Sequence, residues 1–198
     1  MLKRPIYIYT ELSPNPNSMK FVLNFELVPD GLSFDYPSQA AALESGKASP
    51  LAADLFQFPH VQRVFIASNF VTITKDDASA WEEVLPDTKQ FLKIYFDENQ
   101  PVFEPHTIEK NTIIVDANDT ETVQKIKAAL DQYVRPAVES DGGAINFHSF
   151  DEDSGAVKVL LQGSCSGCPS STLTLKAGIE NLLTRMVPGV KTVVAEGV

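Results

Sequence analysis

Only two cysteines occur in the 198 residues, and they stand three apart, as Cys165-Ser166-Gly167-Cys168. A thiolate is both a nucleophile and a ligand for soft metals, so two thiols at this spacing suit either redox exchange or one side of a metal centre. The surrounding stretch, Gly163-Ser164-Cys165-Ser166-Gly167-Cys168-Pro169-Ser170-Ser171, reads as the passage from a strand into a helix. The glycines permit a tight turn and leave room beside the sulfurs, and proline is well accepted in a first helical turn. Unpaired backbone N–H groups at such a helix start favour the thiolate and can hydrogen-bond to sulfide.

One C-x-x-C pair cannot complete a metal site. A four-thiolate zinc site or an ordinary iron–sulfur cluster takes four ligands. His60, His106 and His148 lack paired ligand spacing and read as solvated or packed side chains. The simplest route to four thiolates is a twofold dimer in which each chain supplies Cys165 and Cys168. Three other readings compete. A thiol–disulfide oxidoreductase would also place C-x-x-C at a helix start, but Ser-Gly separates the cysteines and no Trp precedes Cys165. A cysteine hydrolase would use Gly163–Gly167 as a nucleophile elbow, yet no His follows residue 148. A zinc-bridged dimer would use the same four thiolates, and colour separates it from iron–sulfur.

The composition, 43% hydrophobic and 21% charged, is that of a folded globular chain, and its length suits one large domain or two small ones. The net charge is −10, and both parts contribute: residues 1–118 carry 16 acidic and 9 basic side chains, residues 119–198 carry 10 and 7. Neither offers the basic footprint that phosphate backbones or anionic lipids demand, so we expect no nucleic acid and no membrane partner. No apolar run is long enough to cross a bilayer. The N-terminus reads as neither signal nor transit peptide. The expected location is cytoplasmic, with a processed organellar chain giving the same sequence.

The pattern predicts an α+β protein of two small domains. The first, residues 1–97, is β-rich: strands over 5–10, 19–27, 61–67 and 70–74, the last two joined by Ser68-Asn69, with helices over 49–58 and 81–96. Ser49 caps the former helix and Pro86 disturbs the latter. Ser13–Ser18 is a Pro/Asn turn or a recognition loop. Residues 98–118 form a linker. The second domain, residues 119–198, reads α-β-β-α-β with a short mixed sheet. Its first helix is capped by Asp119 or Thr120, carries an apolar stripe of Val123, Ile126, Leu130, Tyr133 and Val134, and is bent or ended by Pro136. A turn at Asp141-Gly142-Gly143 leads to a hairpin in which Ile145 and Phe147 face Val157, Val159 and Leu161. The second helix starts near Pro169, with Leu175, Ile179, Leu182, Leu183 and Met186 inward, and a strand over 190–195 closes the domain.

These residues carry a resemblance. Arg135-Pro136, Asp141-Gly142-Gly143, Leu161-Gln162-Gly163, the block from Cys165 to Lys176, Gly178 to Leu183, and Pro188-Gly189-Val190 closely resemble the C-terminal domain of the NifU/Nfu family of iron–sulfur carriers. The first segment resembles the family's N-terminal Nfu domain through Pro14-Asn15-Pro16-Asn17, Lys20-Phe21, Ser49-Pro50-Leu51-Ala52, Leu55-Phe56, Phe70 to Thr74 and Trp81, with Ser13 where the family usually has Thr. The resemblance implies the short two-domain form, an assembly and transfer factor rather than an enzyme. It implies a cluster, [4Fe–4S], bound by Cys165 and Cys168 and shared between two chains. It also implies upstream cluster-assembly proteins as donors and apo iron–sulfur proteins as acceptors.

Overall fold

The structure is a computed structural model that describes residues 5–29, 31–105, 107–108, 119–166 and 169–197, with the backbone alone over 169–172. The chain divides into two compact units, Met1–Ile113 and Ile114–Val198. It is an α+β protein, as expected.

The first unit is a five-stranded sheet with helices. Its strands are β1 (Ile8–Leu12), β2 (Ser18–Leu23), β3 (Ser33–Tyr36), β4 (Val61–Ala67) and β5 (Phe70–Lys75), in spatial order β1-β2-β5-β4-β3 and antiparallel throughout. Strand alternation sends Met19, Phe21 and Leu23 of β2 and Val71 and Ile73 of β5 into one core. β2 is shorter than the expected 19–27, because the chain bends at Asn24, whose side chain accepts from the Tyr7 N–H and donates to the Pro5 carbonyl. β3 and the single-turn helix α1 (Gln39–Ala42) escaped sequence reading: each is only four residues, too short to show a period.

Helix α2 (Pro50–Leu55) begins as expected, with the Ser49 Oγ accepting from the Ala52 N–H at 3.1 Å and Pro50 in the first turn. The Ser49 hydroxyl also donates to the Val102 carbonyl at 2.6 Å. Helix α3 (Trp81–Asp97) runs through Pro86, which lies in its second turn, where a missing N–H costs one backbone bond. Residues 98–105, expected to begin a linker, are bonded into the first unit instead. The Tyr95 hydroxyl donates to the Pro101 carbonyl at 2.7 Å, the Glu104 N–H donates to the Ala48 carbonyl, and Val102 and Phe103 pack on the core. The rest of the expected linker, residues 109–118, lies outside the described residues.

The Ser13–Ser18 segment is built as a turn. Asn17 N–H donates to the Asn15 side-chain oxygen, Trp81 Nε1 donates to the Pro16 carbonyl at 3.0 Å, and Lys75 Nζ donates to the Asn17 side-chain oxygen at 3.0 Å. These bonds give the Pro/Asn run a structural role.

In the second unit, Thr120 is the cap of helix α4 (Glu121–Ala129). Pro136 does not end this helix. A π-helical turn, Leu130–Val134, leads into helix α5 (Arg135–Ser140), with the Arg135 N–H bonded back to the Leu130 carbonyl five residues earlier. The wider turn absorbs the ring that would clash with a normal i−4 carbonyl. It also shifts the stripe by one residue, so Tyr133, expected inward, is 50% exposed, while Leu130 and Val134 stay buried.

Strands β6 (Gly143–Asp151) and β7 (Ala156–Gly163) form the expected antiparallel hairpin, and β8 (Thr192–Gly197) joins β7 in parallel. The register pairs Ile145 with Leu161 and Phe147 with Val159. A bulge between Phe147 and Ser149 then places Phe150, not Phe147, opposite Val157. Helix α6 (Pro169–Met186) crosses between β7 and β8. Ile179 and Leu183 are buried as expected, but Met186 is 44% exposed and Val187 occupies the core.

Glu180 ties α6 to β8. Its Oε2 accepts from the Val193 N–H at 2.8 Å and the Thr192 hydroxyl at 2.9 Å. These two bonds, the backbone one first, hold its carboxyl below the usual carboxylate range. A depressed folded-state pKa stabilises the fold above the unfolded value of about 4.5 and loses that effect as pH falls through the folded value. Thermal melting of wild type and Glu180→Gln across pH 7 to 3 should therefore show a wild-type advantage near neutrality that shrinks below about pH 4.5.

Candidate metal centre

The dithiol segment follows β7, a strand held on both sides by β6 and β8. β7 ends at Gly163, whose φ of +65° is open to glycine and costly for other residues. The chain turns there, with the Ser166 N–H donating to the Gly163 carbonyl at 3.1 Å. Helix α6 then starts at Pro169, as the sequence predicted. Cys165 therefore stands between a strand end and a helix start. Cys168 lies outside the described residues.

Cys165 is not open to water at this junction. It is 6% exposed and belongs to the hydrophobic core of the second unit, with Ile145, Leu161 and Ile179 among that core's members. A protonated thiol is small and weakly polar, so it packs as a hydrophobe.

Among the described residues, Gly143 and Ser164 lie beside Cys165, and the sequence pattern gives a site role to neither. A Cβ on Gly143 would lie 2.9 Å from Cys165 Sγ and 2.6 Å from the Gln162 carbonyl oxygen, so only glycine leaves the sulfur its place. Ser164 fastens the segment to the turn before β6: its hydroxyl donates to the Asp141 carbonyl at 2.6 Å and its N–H to the Gly142 carbonyl at 3.3 Å. Ser164 Oγ lies 3.9 Å from Cys165 Sγ. The expected turn role of Asp141-Gly142-Gly143 thus covers Gly142, whose φ is +83°, but Gly143 is there for space. A doubled glycine after Asp, where one would make the turn, was the available signal.

The histidines behave as read where they are described. His60 is buried, its Nε2 is 3.3 Å from the Thr88 hydroxyl, and burial first of all lowers its pKa from the ordinary value. His148 is exposed, and His106 lies outside the described residues. Among the described residues no group of three or more His, Cys, Asp or Glu side chains is arranged to hold a metal ion. Thiols from Cys165 and Cys168 are the donor set that soft-metal chemistry would use, and two thiols per chain fit half of a four-thiolate centre.

Residues 8–99 match the family described as scaffold protein Nfu/NifU N terminal, and residues 126–194 match the NifU-like domain. The NifU-like protein 5, mitochondrial, of Arabidopsis thaliana is 41% identical over 98% of this chain, which spans 69% of that protein. The chain belongs to the Nfu/NifU family.

The NFU1 iron-sulfur cluster scaffold homolog, mitochondrial, of Drosophila willistoni is also 41% identical over 98% of this Nfu-family chain, which spans 64% of it. The solution structure of a NifU-like protein from Saccharomyces cerevisiae matches with a TM-score of 0.45 and 26% identity, covering 53% of this chain and 90% of that one. Among the described residues, no helix of this Nfu-family chain is long and apolar enough to cross a membrane.

The close approach at Gly143 has a measurable cost. Gly143→Ala should destabilise the apo-protein by about 1–3 kcal/mol, as overpacking against backbone does. Gly178→Ala, where a Cβ meets nothing within 4 Å and the residue is helical, should stabilise by about 0.5–1 kcal/mol. Urea unfolding of both variants checks the contrast.

Proposed function

We propose that this Nfu-family chain receives an iron–sulfur cluster, holds it as cargo on the sulfurs of Cys165 and Cys168 of two copies, and passes it to apo-proteins. The observation that carries this reading is the thiol inventory: two cysteines and no others, at a strand-to-helix junction of the NifU-like unit. Two thiols satisfy half of a [4Fe–4S] cluster, and a second copy supplies the rest. A cluster held by two ligands from each of two subunits is open to exchange, since an acceptor's thiols can replace a departing pair. The work is ligand exchange rather than catalysis. Upstream assembly proteins supply the cluster, apo iron–sulfur proteins receive it, and a reducing compartment keeps the thiols free. The names of both relatives above include mitochondrial.

The units divide the labour. Residues 1–97 contain no cysteine, have a core of their own and are acidic, so they select acceptors. Residues 119–198 hold the cluster, and residues 109–118 join the two in sequence. Tethering raises the concentration of a selected acceptor near the thiols.

Reconstitution with ferrous iron and sulfide under anaerobic conditions tests the site. Wild type should show visible absorption, four irons and four sulfides per dimer, and a shift from monomer to dimer in sedimentation, because cluster binding then drives association. Cys165→Ser and Cys168→Ser should each lose the cluster, since each removes two of four thiolates from the dimer. Full iron retention by either variant, or a holo monomer, overturns the shared site.

Residues 112–198 expressed alone test the division. They should load cluster normally and pass it more slowly to particular acceptors. Unchanged transfer to every acceptor removes the selective role of the first unit, and failure to load shows that the unit serves folding instead.

A further inference from the structure

Resting on the reading that Cys165 is a cluster ligand, we propose that Ser164 and Gly143 are positioning residues that hold the empty-state Cys165 in an inward socket, and that this socket competes with the cluster for the sulfur.

The geometry states the conflict. A sulfur that meets a cluster shared with another chain has to stand at the surface of its own unit. In the structure it lies within that unit's core, against the bare face of Gly143, and is 6% exposed. Ser164 makes this inward position the preferred one. Its hydroxyl bond to the Asp141 carbonyl and its N–H bond to the Gly142 carbonyl hold the residue next to Cys165 against the turn that carries Gly143. Loading then requires three things: Cys165 leaves apolar packing, its thiol proton passes to solvent, and the Ser164 contacts loosen. Release runs the other way, and re-seating of the protonated thiol favours departure of the cluster. The device limits affinity in the loaded state and shields a ligand thiol from oxidants in the empty one.

Thiol labelling of the reduced apo chain tests the socket. Iodoacetamide is added to the folded and the denatured chain, and each cysteine is read separately by peptide fragmentation. Cys165 should react at least about tenfold more slowly in the folded chain, because reaction waits for a local opening. Ser164→Ala should speed labelling at Cys165 about fivefold, the factor of one ordinary hydrogen bond, and leave Cys168 unchanged. Ser164→Thr, which keeps the hydroxyl, should restore slow labelling. After reconstitution with ferrous iron and sulfide, Ser164→Ala should need at least about fivefold more iron chelator for half-stripping than wild type, since its empty state competes less well. Labelling of wild-type Cys165 at the denatured rate overturns the socket. So does equal acceleration at both cysteines, which would report general loosening, or a Ser164→Ala chain that holds cluster no better than wild type. A wild-type chain that takes up no iron overturns the cluster reading itself, and the labelling comparison stands apart from it.

Discussion

The second unit depends on one close approach: a sulfur resting where a side chain at residue 143 would be. Gly143 pairs with Gly163 across the first rung of the β6–β7 hairpin, so the strand start and the strand end meet as two glycines. That pairing brings the turn before β6 alongside the segment after β7. The inward position of Cys165 follows from this adjacency. The turn presents the carbonyls of Asp141 and Gly142, and Ser164 answers both. A larger residue at 143 would drive either the Gln162 carbonyl or the thiol away.

The rest of the second unit makes the position repeatable. β7 lies between an antiparallel and a parallel neighbour, so its end cannot drift. At the opposite end of the hairpin the same device recurs. Gly155, at φ +72°, accepts from the Lys191 N–H at 2.8 Å, and a Cβ there would meet the Gly189 carbonyl oxygen at 2.5 Å. Glu180 adds two bonds from α6 to the first two residues of β8. The end of β7 is thus fastened to the turn before β6, and α6 is fastened to the start of β8.

The first unit obeys a different economy. Its sheet is antiparallel throughout and one face is apolar, with α2 and α3 contributing Leu51, Leu55, Leu92 and Phe96 to the same core. Polar side chains act mainly as fasteners at its corners: Ser49 at the α2 cap, Tyr36 donating to the Lys47 carbonyl at 2.7 Å, and Asn17 with Lys75 and Trp81 around the Pro/Asn turn.

Much of this was legible in the sequence because the signals are local. Strand alternation in β2, the apolar runs of β4 and β5, the Ser49–Pro50 helix start and the spacing of Cys165 and Cys168 each depend on a few adjacent residues, as do the two-unit α+β layout and the family resemblance. Elements of four residues were lost, since β3 and α1 are too short to display a period. The π-helical turn at Leu130–Val134 was also hidden, because one inserted residue rotates everything after it and no residue type announces it. The burial of Cys165 belongs to the tertiary structure alone. Whether a cysteine at a helix start faces water or core depends on what lies across the hairpin, twenty-two residues earlier. Sequence specified the glycine at 143 and the sulfur at 165; only the β6–β7 register put one against the other.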